Sequence, residues 1–283
     1  MDYLFYNELS DAGRGKEDAE TILSTLRQYF PTLKMQSVTS VDPKEFIGNA
    51  KPEDNIILTG GDGTLNHMAN LIDLDHIPCR LFLYPFGTGN DFVNDVKEKQ
   101  DPVTKLVPLN EFLADLPYVE VKGKTYRFLN GIGFGIDGDC CVVAEKMKAE
   151  GKTDISYSGI TVKLLFSSFA PRSATVKVDG KEVKYGKVYL ASAMNGHYYG
   201  GGMNIAPAQN RGSHTLTSVV IEGTSRLGTL LAFPAITKGK HVKKKYAHFV
   251  SGKEIEVTFD RPCGLQIDGE VVEDVLTYRA YYR

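Results

Sequence analysis

The chain has 283 residues, 42% hydrophobic and 24% charged, with a formal net charge of −2. That is ordinary globular composition, long enough for one large domain or two smaller ones, and it gives no global attraction to nucleic acid. The four cysteines, Cys79, Cys140, Cys141 and Cys263, lack metal-ligand spacing, and an adjacent pair is a poor disulfide framework, so a reducing cytosol is expected.

In chain order, "DYLFYN" reads as a strand and 16–30 as a helix, with Ala19, Ile22, Leu23, Leu26 and Phe30 at helical spacing. "LKMQSV" is a second strand, followed by a short helix near 43–50 that opens on Pro43. "NIILTG" is a strand with no polar alternation, as expected where helices cover both faces of a sheet. The next helix, beginning near Thr64, puts Leu65, Met68, Ala69 and Ile72 on one stripe, and "CRLFLYPF" is a fourth strand. This β-α-β-α-β-α-β order predicts a doubly wound parallel sheet over residues 1–115.

From about 118 the pattern becomes mainly antiparallel, with the boundary in "LNEFLADLP" at 109–117. "YVEVKGKTYRFLNGIGFG" and "SATVKVDGKEVKYGKVYLASAMNG" read as hairpins, the second turning at Asp179-Gly180. "HTLTSVVIEG", "KEIEVTFD", "CGLQIDGE" and "DVLTYRAYY" read as further strands, and helices are expected near 138–149, 155–169 and 225–238. Residues 116–283 thus form a β-rich, sandwich-like second domain whose last strand could return to the first. The N-terminus lacks a signal-peptide pattern, and the longest apolar stretches are too short to span a bilayer.

Two glycine-rich turns follow buried strands, "GGDGT" at 60–64 and "PFGTGND" at 85–91. Glycine lets a ligand approach the backbone, and the next helix supplies free N–H groups and a favourable dipole for an anion. Asp62 inside such a seat would repel a bare phosphate, which favours a phosphate with Mg²⁺ between. The loop after the first strand adds Asn7, Gly13, Arg14, Gly15 and Lys16, and in an open parallel sheet all three loops lie at the carboxyl edge where ligands bind. A lone Gly-Asp-Gly is usually only a turn, and Asp91 alone would read as a helix cap. The pair together points to a ligand. There is no "GxxxxGK[ST]" motif, and "GIGFGIDG" at 131–138 fits G-x-G-x-x-G only nominally, without a strand–helix–strand unit around it.

"GGDGTLNHMAN" and "PFGTGNDF" resemble the two signature segments of the diacylglycerol kinase catalytic-domain family, which includes bacterial lipid kinases and sphingosine and ceramide kinases. "FLNGIGFGID", "YYGGGMNIAPAQ" at 198–209 and "QIDGE" at 266–270 extend the resemblance along nearly the whole chain. It implies an α/β nucleotide-binding domain and a β-rich domain enclosing a cleft, with ATP phosphorylating a lipid hydroxyl. Residue by residue it implies that Gly60, Gly61, Asp62, Gly63 and Thr64 cradle ATP phosphates, with Asn66 nearby and Asn7 in the first nucleotide-contacting loop. Gly87, Thr88, Asn90 and Asp91 would complete the site, Asp91 acting through Mg²⁺. Asp268 would be the general base, with Glu270 beside it. An acidic stretch that in some members holds a second, structural Mg²⁺ is replaced here by "QNRGSHTL" at 209–216, with no acidic residue.

The resemblance further implies a cytoplasmic enzyme, peripheral at the inner membrane surface, with a lipid substrate and no nucleic-acid partner. The alternatives are a NAD kinase-like enzyme, which shares "GGDGT" and the two-domain layout, and an inactive nucleotide-binding regulator. "KGKHVKKKY" at 238–246 follows the apolar "LGTLLAFPAI". Such a charge run is about as often a solvated loop as a contact for anionic headgroups.

Overall fold

The structure is a computed structural model of residues 1–283, and the description covers all of them except 9, 11, 12, 87–89, 153, 154, 168 and 224. The chain divides into two compact units, Met1–Leu116 and Pro117–Arg283.

The first unit runs β1 (Asp2–Tyr6), α1 (Gly15–Leu26), β2 (Lys34–Ser37), α2 (Pro43–Gly48), β3 (Asn55–Gly60), α3 (Asp62–Leu71), β4 (Arg80–Pro85), α4 (Asp91–Asp95), β5 (Val107–Pro108) and α5 (Asn110–Leu113). The sheet order is β2-β1-β3-β4-β5. β1, β2, β3 and β4 are mutually parallel, and only the two-residue β5 is antiparallel. Ile56, Ile57 and Leu58 are all buried, which explains why β3 shows no polar alternation. Ala19, Ile22, Leu23 and Leu26 of α1 pack with Leu4, Leu33 and Ile57 into one core. The chain winds outward from β1 to β2 and then back to β3 on the other side, so the sheet reverses direction between β1 and β3. At such a reversal neighbouring connections diverge and leave a crevice at the strands' carboxyl ends.

The second unit runs β6 (Tyr118–Val121), β7 (Lys124–Arg127), β8 (Gly131–Phe134), α6 (Ile136–Ala149), α7 (Tyr157–Phe166), β9 (Arg172–Val178), β10 (Lys181–Met194), β11 (Tyr198–Tyr199), β12 (Met203–Asn204), β13 (Leu216–Glu222), α8 (Arg226–Thr237), β14 (Ala247–Gly252), β15 (Glu254–Ile267) and β16 (Glu270–Tyr281). β10 and β15 are its long members, 14 residues each. β9 pairs with the early halves of both, whereas β8 joins their late halves. The resulting antiparallel sheet folds around a core that includes Phe134, Phe259 and Tyr278, with the first two rings stacked at 4.2 Å. β16 pairs with β15 and β6, so the closing strand is part of the second unit's own sheet.

The glycines of "GIGFGIDG" serve packing. A Cβ on Gly133 would lie 1.7 Å from Asp137 Oδ2, and one on Gly138 would lie 2.0 Å from the Gly264 carbonyl oxygen. The first absence admits a carboxylate and the second seats α6 directly on β15, which accounts for the motif without a dinucleotide.

Candidate functional site

In the first unit a cavity of about 170 Å³ opens at the carboxyl ends of β1 and β3, where the sheet reverses. Asn7 follows β1, Thr59 belongs to β3, and Gly63, Thr64 and His67 come from the first turns of α3. Thr59 donates to the Phe5 carbonyl at 3.0 Å, which locks the two strand ends together. Thr64 and His67 are three residues apart on one helix face, so they meet at the same mouth. Sequence reasoning named Asn7, Gly63 and Thr64 here but missed Thr59 and His67. The 64/67 helical spacing was the available signal for the histidine.

Two glycines of the first turn do different work. Gly60 has φ +153°, and a Cβ there would come within 2.3 Å of Thr64 Oγ1, so its bareness admits the threonine. At Gly63 a Cβ would meet nothing within 4 Å among the described residues. The N-cap of α3 is Gly61, and among the described residues no side chain caps the helix. The first turn of a ten-residue helix thus meets the cavity with backbone N–H groups and a positive dipole end, which is what a phosphate requires.

Asp62 has a role the sequence did not disclose. Its carboxylate accepts from the backbone N–H groups of Asp91, at 2.7 Å, and Phe92, at 2.9 Å. Those are first-turn donors of α4, so Asp62 ties the second glycine-rich segment to the first. Helix-terminal donors thus engage both of its oxygens. Asp91 is 4% exposed at the start of α4, directly after Asn90. Asn66 is buried and receives Asn70 Nδ2 on its carbonyl and side-chain oxygens, so it does not line this cavity. Gly87 and Thr88 lie outside the described residues.

The second unit carries Asp268 and Glu270. Asp268 sits in the turn between β15 and β16 with φ +48°. Its carboxylate accepts three backbone N–H bonds, from Leu129 (2.5 Å), Asn130 (2.8 Å) and Gly131 (3.0 Å), and its own N–H donates to the Gly131 carbonyl. Glu270 is exposed at the start of β16. Nearby, Gln266 bridges the turn to α6: its Oε1 accepts from the Gly269 N–H and its Nε2 donates to Asp137. Burial pushes the Asp137 carboxyl up to about 6, opposed by hydrogen bonds from Gln266 and Tyr199. Among the described residues no group of three or more His, Cys, Asp or Glu side chains is placed to hold a metal. The 209–216 stretch contributes Arg211 rather than a carboxylate, and His214 is a left-handed turn residue beside Tyr282.

A parallel sheet with a crevice at its reversal, followed by an antiparallel β unit, places the chain in the class of two-unit α/β-plus-β folds. Within that class the comparisons are specific. Residues 3–114 match the diacylglycerol kinase catalytic domain, and residues 130–279 match the YegS C-terminal NAD kinase beta sandwich-like domain. The chain belongs to the diacylglycerol kinase catalytic-domain family. It is 24% identical to YtlR of Bacillus subtilis, provisionally named a lipid kinase, over 77% of this chain and 74% of that one. It is 25% identical to a diacylglycerol kinase of Mycobacterium tuberculosis, over 74% and 68% of the two chains. The crystal structure of a protein from Bacillus anthracis, provisionally described as a diacylglycerol kinase, superposes with a TM-score of 0.71 at 21% identity, covering 100% of this chain and 92% of that one.

Proposed function

We propose that the protein is an ATP-dependent lipid kinase that transfers the γ-phosphoryl group to the hydroxyl of diacylglycerol or a related lipid. The observation that carries this reading is the cavity at the β1/β3 reversal lined by Gly63 and Thr64 of the first turn of α3, in a chain of this family. Gly60, Gly61, Gly63 and Thr64 would hold the phosphates through backbone N–H groups and the Thr64 hydroxyl, with Asn7 at the opposite wall. The open space at Gly63 fits a group that must approach the backbone. Asp91 would hold Mg²⁺ with the phosphates and waters as its other ligands. That suits an ion usually bound through one or two carboxylates and its substrate rather than a protein cage. Bound Mg²⁺ neutralises charge on the phosphates.

Phosphoryl transfer demands positioning, charge neutralisation and a group to take the acceptor's proton. Asp268 would receive that proton, with Glu270 beside it in the same turn. The three N–H groups on Asp268 fix the carboxylate's direction, which is what a base needs before substrate arrives. ATP consumption by the purified protein, with a lipid-extract panel in one arm and NAD in the other, tests the reading. Lipid-dependent turnover supports it. NAD-dependent turnover assigns the protein to the alternative its β-rich domain also resembles, and turnover in neither arm leaves a nucleotide-binding regulator.

A lipid kinase must meet its substrate at a bilayer, and among the described residues no helix is long and apolar enough to cross one. The second unit offers a peripheral solution. Leu227 and Leu231 of α8 are 58% and 73% exposed, and Phe166 of the adjoining α7 is 55% exposed. Just after α8, Lys238, Lys240, Lys243, Lys244 and Lys245 are all exposed. Cations near an anionic surface contribute about 1 kcal/mol each, and the leucines can enter the interface. Replacing Lys243, Lys244 and Lys245 with glutamine should reduce sedimentation with anionic vesicles while ATP binding stays unchanged. Equal vesicle binding at low salt would remove the docking face and leave the kinase reading standing.

A further inference from the structure

The peptide unit joining Leu129 to Asn130 is held on both sides. Its N–H donates to Asp268 Oδ1 at 2.8 Å. Its carbonyl oxygen accepts from the Arg211 guanidinium and, at 2.8 Å, from the buried Asn195 side chain. The second guanidinium nitrogen, Nη2, donates to Asn130 Oδ1 at 2.7 Å. Arg211 and the Asp268 carboxylate are therefore opposite charges placed across one peptide plane.

We propose that Arg211 is a positioning residue for Asp268, acting through the Leu129–Asn130 peptide; the inference rests on Asp268 being the base. Two features support it. A cation on a carbonyl draws electron density toward oxygen and makes the N–H of the same peptide a stronger donor, since hydrogen bonds in a chain polarise one another. Arg211 is also fixed for the task. Asn210 caps the 211–213 turn through Gly212 N, Gln209 Nε2 spans to the carbonyls of Asn195 and Thr215, and Tyr282 donates to the Asn195 side chain at 2.5 Å. The forked guanidinium bonds the carbonyl and the Asn130 side chain at once, a geometry a lysine cannot reproduce. This gives the non-acidic 209–216 stretch a function within the site instead of leaving it a gap in the family pattern.

The experiment compares Arg211→Gln, Arg211→Lys and Asp268→Asn with wild type. Dioleoylglycerol in anionic vesicles is the acceptor, and the Asn130 amide proton shift is followed by NMR. Arg211→Gln should lower kcat about tenfold or more with KM for ATP unchanged, because small misplacements of reacting groups are costly. Its Asn130 proton should move upfield, and added guanidinium ion at non-denaturing concentration should partly restore both. Arg211→Lys should fall between. A role confined to folding would lower the unfolding midpoint without guanidinium rescue of kcat or of the proton shift, and that outcome overturns the proposal. So does an Arg211→Gln enzyme with wild-type kcat and an unmoved Asn130 proton, while Asp268→Asn is inactive. If Asp268→Asn is itself fully active, the base assignment fails on its own arm, separately from the Asn130 shift.

Discussion

Replacing Asp62 with asparagine probes the link between the two glycine-rich turns. An amide can accept only through its oxygen, so one of the two N–H groups, on Asp91 or Phe92, loses its partner and faces an NH₂ instead. A hydrogen bond to a charged group contributes about 1.5–3 kcal/mol, and loss of the negative charge at a helix start adds about 0.3–1 kcal/mol. Helix α4 has five residues, yet it cannot simply fray, because Phe92 is fully buried and packs edge-on against Phe112 with centroids 5.3 Å apart. The expected loss is therefore about 2–4 kcal/mol of unfolding free energy, read from urea denaturation. Hydrogen exchange should accelerate at the amides of residues 91 and 92. Nucleotide affinity should fall as well, and less than additively with Asp91→Ala, since both changes act on one element. An unfolding free energy within about 0.5 kcal/mol of wild type (the ordinary effect of a surface substitution), with those amides equally protected, would show that Asp62 does not hold α4 in place.

Asp91→Ala should weaken Mg²⁺-dependent ATP binding while the fold survives; calorimetry returning an unchanged ATP affinity would count against the metal assignment. Asp137→Asn should stabilise the protein at pH 8 by up to about 3 kcal/mol, the free energy of moving a carboxyl from 3.8 to about 6. The folded chain keeps that proton up to about pH 6 and the unfolded chain releases it near 3.8, so wild-type stability falls as pH rises through this window. The variant's advantage should be absent at pH 4, and equal advantages at both pH values would show that the gain has another cause.

The alternation of the first unit was legible because β1, β3 and β4 are short apolar runs and α1 and α3 carry a stripe at 3.6-residue spacing, whereas α2 was marked by Pro43. The turn at Asp179-Gly180 was legible from its dipeptide, and both residues take positive φ, 48° and 79°. What escaped depended on distant partners. "KEIEVTFD" and "CGLQIDGE" looked like two strands because Asp260, Arg261 and Pro262 interrupt them. They form the single β15, whose pairing with β16 shifts register between Thr258 and Cys263. The antiparallel β5 has two residues, one of them Pro108, too few to show a period. Asp62 read as a loop carboxylate because the donors it binds lie at 91 and 92, and nothing local marks Arg211 as the partner of Leu129 and Asn130. Of the site residues, Asn7, Gly63 and Thr64 meet at one cavity, whereas Asn66 turns away from it.

The most direct measurement of the central claim is transfer of the γ-phosphoryl group from radiolabelled ATP to purified dioleoylglycerol, ceramide and sphingosine, with wild type and Asp268→Asn run side by side. Wild type should yield a labelled lipid. Asp268→Asn should turn over about 10²–10⁴-fold more slowly, the usual consequence of removing a general base, and should still bind ATP. Lipid labelled at the wild-type rate by Asp268→Asn, or label entering NAD and no lipid, would contradict the lipid-kinase assignment.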